Sequence, residues 1–290
     1  MKVIRARTLG FCMGVRRAVE LAEAEARRAS VEGASVYSLG PLIHNPKVLA
    51  DLKSMGVHNI DELPRNPGNC SVIIRAHGIE PSVESELRNK GINIVDATCP
   101  NVKASQIKAE ELVQAGYCLF IAGEVNHAEI IGIMGYMQAC NAPFCKVVGN
   151  TLEAGKEAKK LYGINNDAKT ALLGQTTISD DEYSAIAQAV GLFFPNLEVI
   201  QTICSATKDR QNALRDLLEQ VDAVIIAGGK DSANTRRLLM IAQKSGIPSV
   251  LIEEKGQIPE SFYSYNTVGL CAGASTPDSM INEIELELSK

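Results

Sequence analysis

The stretch DATCPNVK, residues 96–103, sets a cysteine between two different backbone patterns. A strand-like segment, INIV at 92–95, precedes Cys99, and a helix-like segment that carries Lys103 follows it. Cys99 therefore lies where a strand gives way to a helix, and ligands of parallel α/β sheets gather beyond such strand ends. Whether this thiol is a buried core residue, a nucleophile or one ligand of a larger group depends on whether the pattern recurs.

Strand-like and helix-like segments alternate along the whole chain. Strands are predicted at 35–39, 71–75, 93–96, 117–122, 170–173, 198–202, 223–227, 249–252 and 267–271, and helices at 15–29, 102–115, 153–161, 179–190, 206–221 and 233–244. This alternation predicts an α/β fold with mainly parallel sheets that are flanked by helices.

The cysteine pattern of the opening stretch occurs three times. In each case a basic residue follows the cysteine by four positions at the start of a helix-like segment: Cys12 with Arg16, Cys99 with Lys103, and Cys204 with Lys208. A glycine with a polar residue four positions later comes next, at Gly40 to His44, Gly123 to His127, and Gly228 to Ser232. The intervals from cysteine to polar residue are 32, 28 and 28 residues. A shared order with nearly constant spacing indicates a weak internal repeat.

A third polar loop completes each repeat, at His77 in RAHG, Thr176 in GQTT and Ser275 in CAGAST. Strand-to-helix turns are generally rich in glycine and polar residues, so a single match carries little weight, whereas the common order of nine positions is harder to explain by chance. We expect three similar α/β units, at residues 1–98, 99–201 and 202–290. A pseudo-threefold arrangement would let each unit present one cysteine and two polar loops to a shared centre.

The overall composition is that of an ordinary globular chain. Of its 290 residues 46% are apolar, and no apolar run approaches the eighteen or so residues that a membrane helix needs. The start, MKVIRARTLGFC, lacks the apolar region of a secretory signal, so we expect a cytoplasmic protein. The net charge of −5 without a Lys/Arg stripe argues against nucleic acid as a partner.

Eight cysteines in a cytoplasmic chain favour metal binding or catalysis over disulfides. No CxxC motif occurs, so cysteines that bind a metal here must come from distant parts of the chain. Three thiolates that converge on one axis suit an iron–sulfur cluster with one iron left open for substrate, and tetrahedral zinc remains the alternative. The other five cysteines are expected to be structural.

The polar loops indicate an anionic ligand. Their side chains are mostly hydrogen-bond donors, and the neighbouring glycines allow the backbone to approach a phosphate closely. Three of the four histidines of the chain lie in these loops. Glu129, two positions after His127, could donate a proton, because a carboxyl group in a dry pocket beside a diphosphate has a raised pKa. A helix-start acid stabilised by the dipole is the simpler reading of Glu129 taken alone.

Nine motifs in order are similar to those of one enzyme family: GFCMGVRRA, GPLIHNPKV, RAHGI, DATCPNVK, NHAEIIGIMG, GQTTIS, TICSATKDRQ, GGKDSANTRRL and CAGASTPDSMI. From residue 10 to about residue 281 the chain resembles the 4-hydroxy-3-methylbut-2-enyl diphosphate reductases. That resemblance implies reductive dehydroxylation of the allylic diphosphate to isopentenyl and dimethylallyl diphosphate, the last step of the non-mevalonate isoprenoid pathway. It also implies a one-electron donor protein, such as ferredoxin or flavodoxin, as partner.

The resemblance further implies a role for each site residue. A central [4Fe–4S] cluster would be held by Cys12, Cys99 and Cys204, and Glu129 would be the proton donor. The implied substrate ligands are His44, His77, His127, Thr176, Ser232, Ala233, Asn234 and Ser275. Two positions depart from the usual pattern: Ala128 stands where relatives have proline, and Ala233 could contact a phosphate only through its backbone N–H.

Three other functions stay open at this stage. A redox-neutral iron–sulfur hydratase or dehydratase also uses three cysteines and an open iron. A non-catalytic iron–sulfur sensor would bind the diphosphate without needing Glu129. A plain α/β binding protein with buried cysteines would hold no iron at all.

Overall fold

The computed structural model describes residues 1–63 and 68–290. The strands are β1 (Lys2–Arg5), β2 (Ser35–Leu39), β3 (Val57–Ile60), β4 (Cys70–Ile74), β5 (Asn93–Asp96), β6 (Cys118–Ala122), β7 (Cys145–Val148), β8 (Thr170–Gly174), β9 (Glu198–Val199), β10 (Ala223–Ala227), β11 (Ser249–Ile252) and β12 (Thr267–Ala272). The α-helices are α1 (Met13–Glu32), α2 (Pro46–Ser54), α3 (Pro81–Asn89), α4 (Pro100–Gln114), α5 (Ala128–Ala139), α6 (Thr151–Ile164), α7 (Asp180–Gly191), α8 (Ser205–Leu218), α9 (Ala233–Lys244) and α10 (Asp278–Leu288). Two short 3-10 helices, Lys255–Gln257 and Glu260–Ser264, lie between β11 and β12.

Three four-stranded sheets of the same topology make up the fold. Their strand orders are β3-β2-β4-β5, β7-β6-β8-β9 and β11-β10-β12-β1, and every pairing within them is parallel. In the first two sheets the second strand of the order comes first along the chain, and in all three sheets the fourth strand leads into a cysteine loop. The predicted α/β fold with three similar units is therefore confirmed.

The first strand of the chain corrects one expected boundary. The unit expected at 1–98 includes β1, yet β1 pairs with β12, with Lys2 opposite Thr267 and Arg5 opposite Leu270. It fills the place that β5 and β9 fill in the other two sheets, so it belongs to the third unit. A four-residue strand with one apolar pair, KVIR, has too little pattern to be recognised from sequence. With β1 reassigned, we keep the division at 98 and 201 as a proposal.

The strands β4, β6, β8, β10 and β12 are buried along almost their whole length because helices cover both sides of the sheets. In β6, Phe120 packs against α6 and α7 on one face, while Leu119 and Ile121 pack against α4 and α5 on the other. The third sheet is enclosed in the same way by α8 and α9 on one face and α10 on the other. The buried thiols Cys70, Cys118 and Cys271 lie in these strands.

Among the described residues, no helix is both long enough and apolar enough to cross a membrane.

Candidate active site

The three predicted cysteines occupy equivalent positions at the starts of helices. Cys12, Cys99 and Cys204 are the N-cap residues of α1, α4 and α8. The backbone N–H of each one donates to the loop that follows the third strand of a sheet: to Ala274 O at 3.1 Å, to Ala76 O at 2.9 Å and to Thr176 O at 3.0 Å, respectively. Each thiol therefore meets the positive end of a helix dipole, which favours the bound thiolate.

Two further contacts shape the surroundings of the sulfurs. Asn101 Nδ2 donates to Cys204 Sγ at 3.0 Å and so connects the second unit to the third. Gly14, in the first turn of α1, lies against Cys99: a Cβ at this position would stand 2.5 Å from Cys99 Sγ. Sequence reasoning did not single out either residue, because the repeat that led to the cysteines does not extend to their neighbours.

The polar loops of all three units surround the same cavity. Every predicted site residue lines it: Cys12, His44, His77, Cys99, His127, Glu129, Thr176, Cys204, Ser232, Ala233, Asn234 and Ser275. The second strand of each order leads to His44, His127 and Ser232, and the third strand leads to His77, Thr176 and Ser275. The structure thus brings the twelve residues together at one cavity.

The three loop histidines form a cluster at one side of this cavity. The ring centroids of His44 and His77 are 4.7 Å apart, and those of His77 and His127 are 5.3 Å apart. One ring nitrogen of each lies within 4.8 Å of the others. The remaining histidine, His58, lies in β3.

Burial keeps these histidines neutral. It lowers the pKa of His127 to about 4 and the pKa of His77 well below its usual value, and it also lowers the pKa of His44. His127 Nδ1 accepts from the backbone N–H of Glu129 at 3.2 Å, which leaves the proton of the neutral ring on Nε2. The cluster therefore offers N–H donors without positive charge before an anion binds.

Comparisons with known proteins identify the family of this chain. The model of the LytB protein family matches residues 3–289. The chain belongs to the LytB family. A relative from Treponema denticola, named 4-hydroxy-3-methylbut-2-enyl diphosphate reductase, is 43% identical over 99% of both chains. Another of the same name, from Aquifex aeolicus, is 39% identical over 99% of this chain and 96% of its own length.

Two solved structures share the fold of this LytB-family chain. The E-1-hydroxy-2-methyl-but-2-enyl-4-diphosphate reductase of Plasmodium falciparum has a TM-score of 0.91 at 27% identity, with 100% of this chain and 88% of that chain covered. The structure of (E)-4-hydroxy-3-methyl-but-2-enyl diphosphate reductase, described as the terminal enzyme of the non-mevalonate pathway, has a TM-score of 0.71 at 37% identity and covers 100% and 99% of the two chains.

Among the described residues that line the pocket, Glu129 is the one with a carboxyl group. It lies in the first turn of α5 and is 1% exposed. Thr176 donates to it twice, from the backbone N–H to Oε1 at 2.7 Å and from Oγ1 to Oε2 at 2.8 Å. Burial raises the pKa of Glu129 to about 7, although the Thr176 hydrogen bonds oppose the shift. A carboxyl group that titrates near neutral pH is suited to give and take protons.

Several polar atoms in the pocket are left free for a ligand. Within the described part of the chain, Asn234 Oδ1 and Nδ2 and His77 Nδ1 are buried without a hydrogen-bond partner. Native proteins rarely leave buried polar atoms unpaired. Ser275 instead donates to the carbonyl oxygen of His44 at 3.2 Å, and this bond links the third unit to the first. The unpaired atoms mark the side of the cavity where a polar ligand would be held.

Proposed function

We propose that this chain converts (E)-4-hydroxy-3-methylbut-2-enyl diphosphate to isopentenyl diphosphate and dimethylallyl diphosphate, as the last step of the non-mevalonate pathway. The proposed cofactor is a [4Fe–4S] cluster on Cys12, Cys99 and Cys204. The observation that carries the proposal is the convergence of three helix-cap thiols, a neutral histidine cluster and a buried carboxyl group on one cavity. The names of the family relatives support the same substrate.

The arrangement of the sulfurs favours a cluster over a single zinc ion. Among the described residues, the histidines are the one group whose possible ligand atoms all lie within 4.8 Å of one another, so the three sulfurs do not all lie that close together. Two thiolates on one tetrahedral zinc, with Zn–S bonds of about 2.3 Å, would stand about 3.8 Å apart. A polynuclear centre suits the wider spacing, and three cysteines leave one of its four irons without a protein thiolate.

The residues of the chain bind the substrate, orient it and supply it with protons. The histidine cluster, Ser232, Asn234 and Ser275 are proposed to hold the diphosphate, with Ala233 contributing its backbone N–H at the start of α9. A ligand anchored at that side must turn its carbon end toward the cysteines. This positioning lowers the entropic part of the barrier.

Glu129 is the proposed proton donor, and its two hydrogen bonds with Thr176 fix the orientation of the carboxyl group. When bound, the cluster supplies electrons one at a time and a Lewis-acidic iron. Two electrons and two protons replace the C–O bond with a C–H bond and release the oxygen as water. A bound diphosphate raises the pKa of Glu129 further by like-charge repulsion, so the carboxyl group is protonated when its proton is needed.

The proposed electron source is a one-electron donor protein such as ferredoxin or flavodoxin. We also propose a cytoplasmic location, because all eight cysteines are free and a reducing compartment keeps thiols in that state.

Anaerobic reconstitution with iron and sulfide, followed by turnover with a chemical one-electron reductant, tests the proposal. We expect both products to form only when reductant is present. In Glu129→Gln the cluster should remain while turnover falls roughly 10²–10⁴-fold, because the proton donor is lost. Conversion without reductant would instead identify a redox-neutral hydratase. Full turnover by Glu129→Gln would remove the assigned role of that residue.

A further inference from the structure

Arg210, in the second turn of α8, is a buried arginine that none of the chemistry above uses. It is 3% exposed. Its guanidinium makes all of its hydrogen bonds with backbone carbonyls: Nε and Nη2 donate to Gly10 O at 3.2 and 2.6 Å, and Nη1 donates to Ala206 O at 2.8 Å. Because the guanidinium group is planar and donates to two carbonyl oxygens, it fixes the two loops that carry them relative to each other.

Those two carbonyls belong to the loops of two cluster cysteines. Gly10 stands two residues before Cys12, and Ala206 stands two residues after Cys204. The same side chain therefore ties the loop after β1 to the start of α8, and it places its charge beside both sulfurs. Burial lowers the pKa of Arg210, while the Cys12, Cys271 and Cys204 sulfurs oppose the shift.

Among the described residues, no acidic side chain is bonded to Arg210. Within the described ranges the acid that acts on it is Asp209, whose influence is smaller than that of the sulfurs, and the two side chains form no ion pair. The buried neighbour Cys271 is a neutral thiol, since burial raises its pKa to about 12. A buried cation without a counter-charge is destabilising, so a ligand that brings negative charge to this place is favoured.

The geometry points to Arg210 as a positioning residue that fixes Cys12 and Cys204 and, through its buried charge, raises the reduction potential of the proposed cluster. The inference rests on the proposed function for the identity of that centre. A cluster held by three thiolates is anionic, and each added electron makes it more so. A fixed positive charge in a low-dielectric surrounding therefore stabilises the reduced state more than the oxidised state.

The test compares variants of Arg210 in the reconstituted protein, and its readout is the midpoint potential in a redox titration followed by electron paramagnetic resonance, without substrate. Arg210→Met removes the charge and keeps the bulk, and Arg210→Lys keeps the charge but loses the fork. Arg215→Met is the matched control, because Arg215 lies on the same helix with its side chain 43% exposed, 3.6 Å from Asp181.

In Arg210→Met we expect the equilibrium constant for one-electron reduction to fall about tenfold, which corresponds to about 59 mV. Arg210→Lys should stay near the wild-type potential, and Arg215→Met should not differ from it. A folded Arg210→Met protein with a full cluster and an unchanged potential would overturn the inference.

If Arg210→Met loses the cluster, Arg210→Gln takes its place in the comparison with Arg210→Lys. Glutamine keeps a donor for Gly10 O but carries no charge. A cluster in the Lys variant but not in the Gln variant supports the role of the charge. If the Lys and Gln variants have equal midpoint potentials, or if neither binds a cluster, the proposed role of the Arg210 charge is wrong. Failure of the proposed function appears separately, as wild-type protein that holds a cluster but does not convert the diphosphate.

Discussion

Glu129 and Thr176 are joined by two hydrogen bonds of 2.7 and 2.8 Å, although 47 residues separate them along the chain. The carboxyl group stands at the start of α5, and the threonine follows β8, the strand that neighbours β6 in the same sheet. The two hydrogen bonds fix the position of the Glu129 carboxyl group in the cavity, and its burial keeps it out of bulk water.

The buried carboxyl group makes stability depend on pH. Its pKa rises from an ordinary 4.5 to about 7 on folding, so the native state keeps a proton that the unfolded state has lost in this range. Stability should therefore be highest below pH 4.5 for this group and fall as the pH rises to about 7, by about 3 kcal/mol in all. Urea unfolding of cluster-free wild type and Glu129→Gln across this range measures the effect as a growing difference in favour of the Gln variant.

The matched variant for this measurement is Thr176→Val, which removes the hydroxyl donor and keeps the backbone one. Since that hydroxyl lowers the carboxyl pKa, the midpoint of the pH-dependent loss should move to higher pH. A constant difference between wild type and Glu129→Gln at every pH would contradict the prediction.

Asn234 should show opposite effects on stability and on binding. Its two amide atoms are buried without partners among the residues described, so Asn234→Leu should stabilise the cluster-free protein by about 1 kcal/mol. The same change should weaken the binding of inorganic diphosphate to reconstituted protein at least about tenfold, measured by isothermal titration calorimetry.

A contrasting variant is Asn45→Ala, because Asn45 Oδ1 caps α2 by accepting from the backbone N–H of Val48 at 3.2 Å. Loss of this cap should lower the unfolding free energy by about 1 kcal/mol. If Asn234→Leu were destabilising to a similar degree, its amide would have a structural role, and the assignment to the ligand side of the cavity would be wrong.

Gly14→Ala should reverse the usual effect of this substitution in a helix. Alanine normally stabilises a helix interior by about 0.5–1 kcal/mol over glycine. Here the new methyl group would meet Cys99 Sγ at 2.5 Å, so we expect the iron content after reconstitution to fall. In the control Gly155→Ala, in α6, the methyl group points into open space, and we expect a more stable protein with unchanged iron content.

Cys99→Ser should remove the intact cluster together with turnover, as judged by iron analysis and visible absorption. Cys140→Ser is the control, because Cys140 caps the carboxyl end of α5 and lies outside the cavity lining. A Cys99→Ser protein that kept both cluster and turnover would remove this residue from the centre, and loss of iron in Cys140→Ser would add a ligand that the repeat does not contain.

The sequence predicted the elements with clear local end signals well. The predicted strands 35–39, 93–96, 223–227 and 249–252 and the helix 233–244 have the observed limits. Their ends are marked by glycine, by turn residues or by a serine cap, so local chemistry defines them. Nine of the twelve predicted site residues were located by a similar local signal, since each one is a position of the repeated motif.

Other elements have no such local signal. Helix α5 was not predicted, because its sequence AEIIGIMGYMQA is apolar on most sides and contains two glycines, and its stability comes from packing between α4 and the second sheet. The strand predicted at 198–202 ends at Val199, because Thr202 Oγ1 bonds instead to both the N–H and the carbonyl of Gly174 at 2.7 Å. The formation of α5 and the end of β9 therefore depend on residues far away in sequence.

The place of β1 has a consequence for how the protein is made. Cys12 is held by the carbonyl of Ala274, and the strand before it needs β12 as its neighbour, so both contacts involve residues near opposite ends of the chain. During synthesis on the ribosome, the first two sheets can form before β12, the strand that pairs with β1, has been made. Contacts of such long sequence separation form slowly. The three thiols can thus be brought together only after β12 and Ala274 have been synthesised.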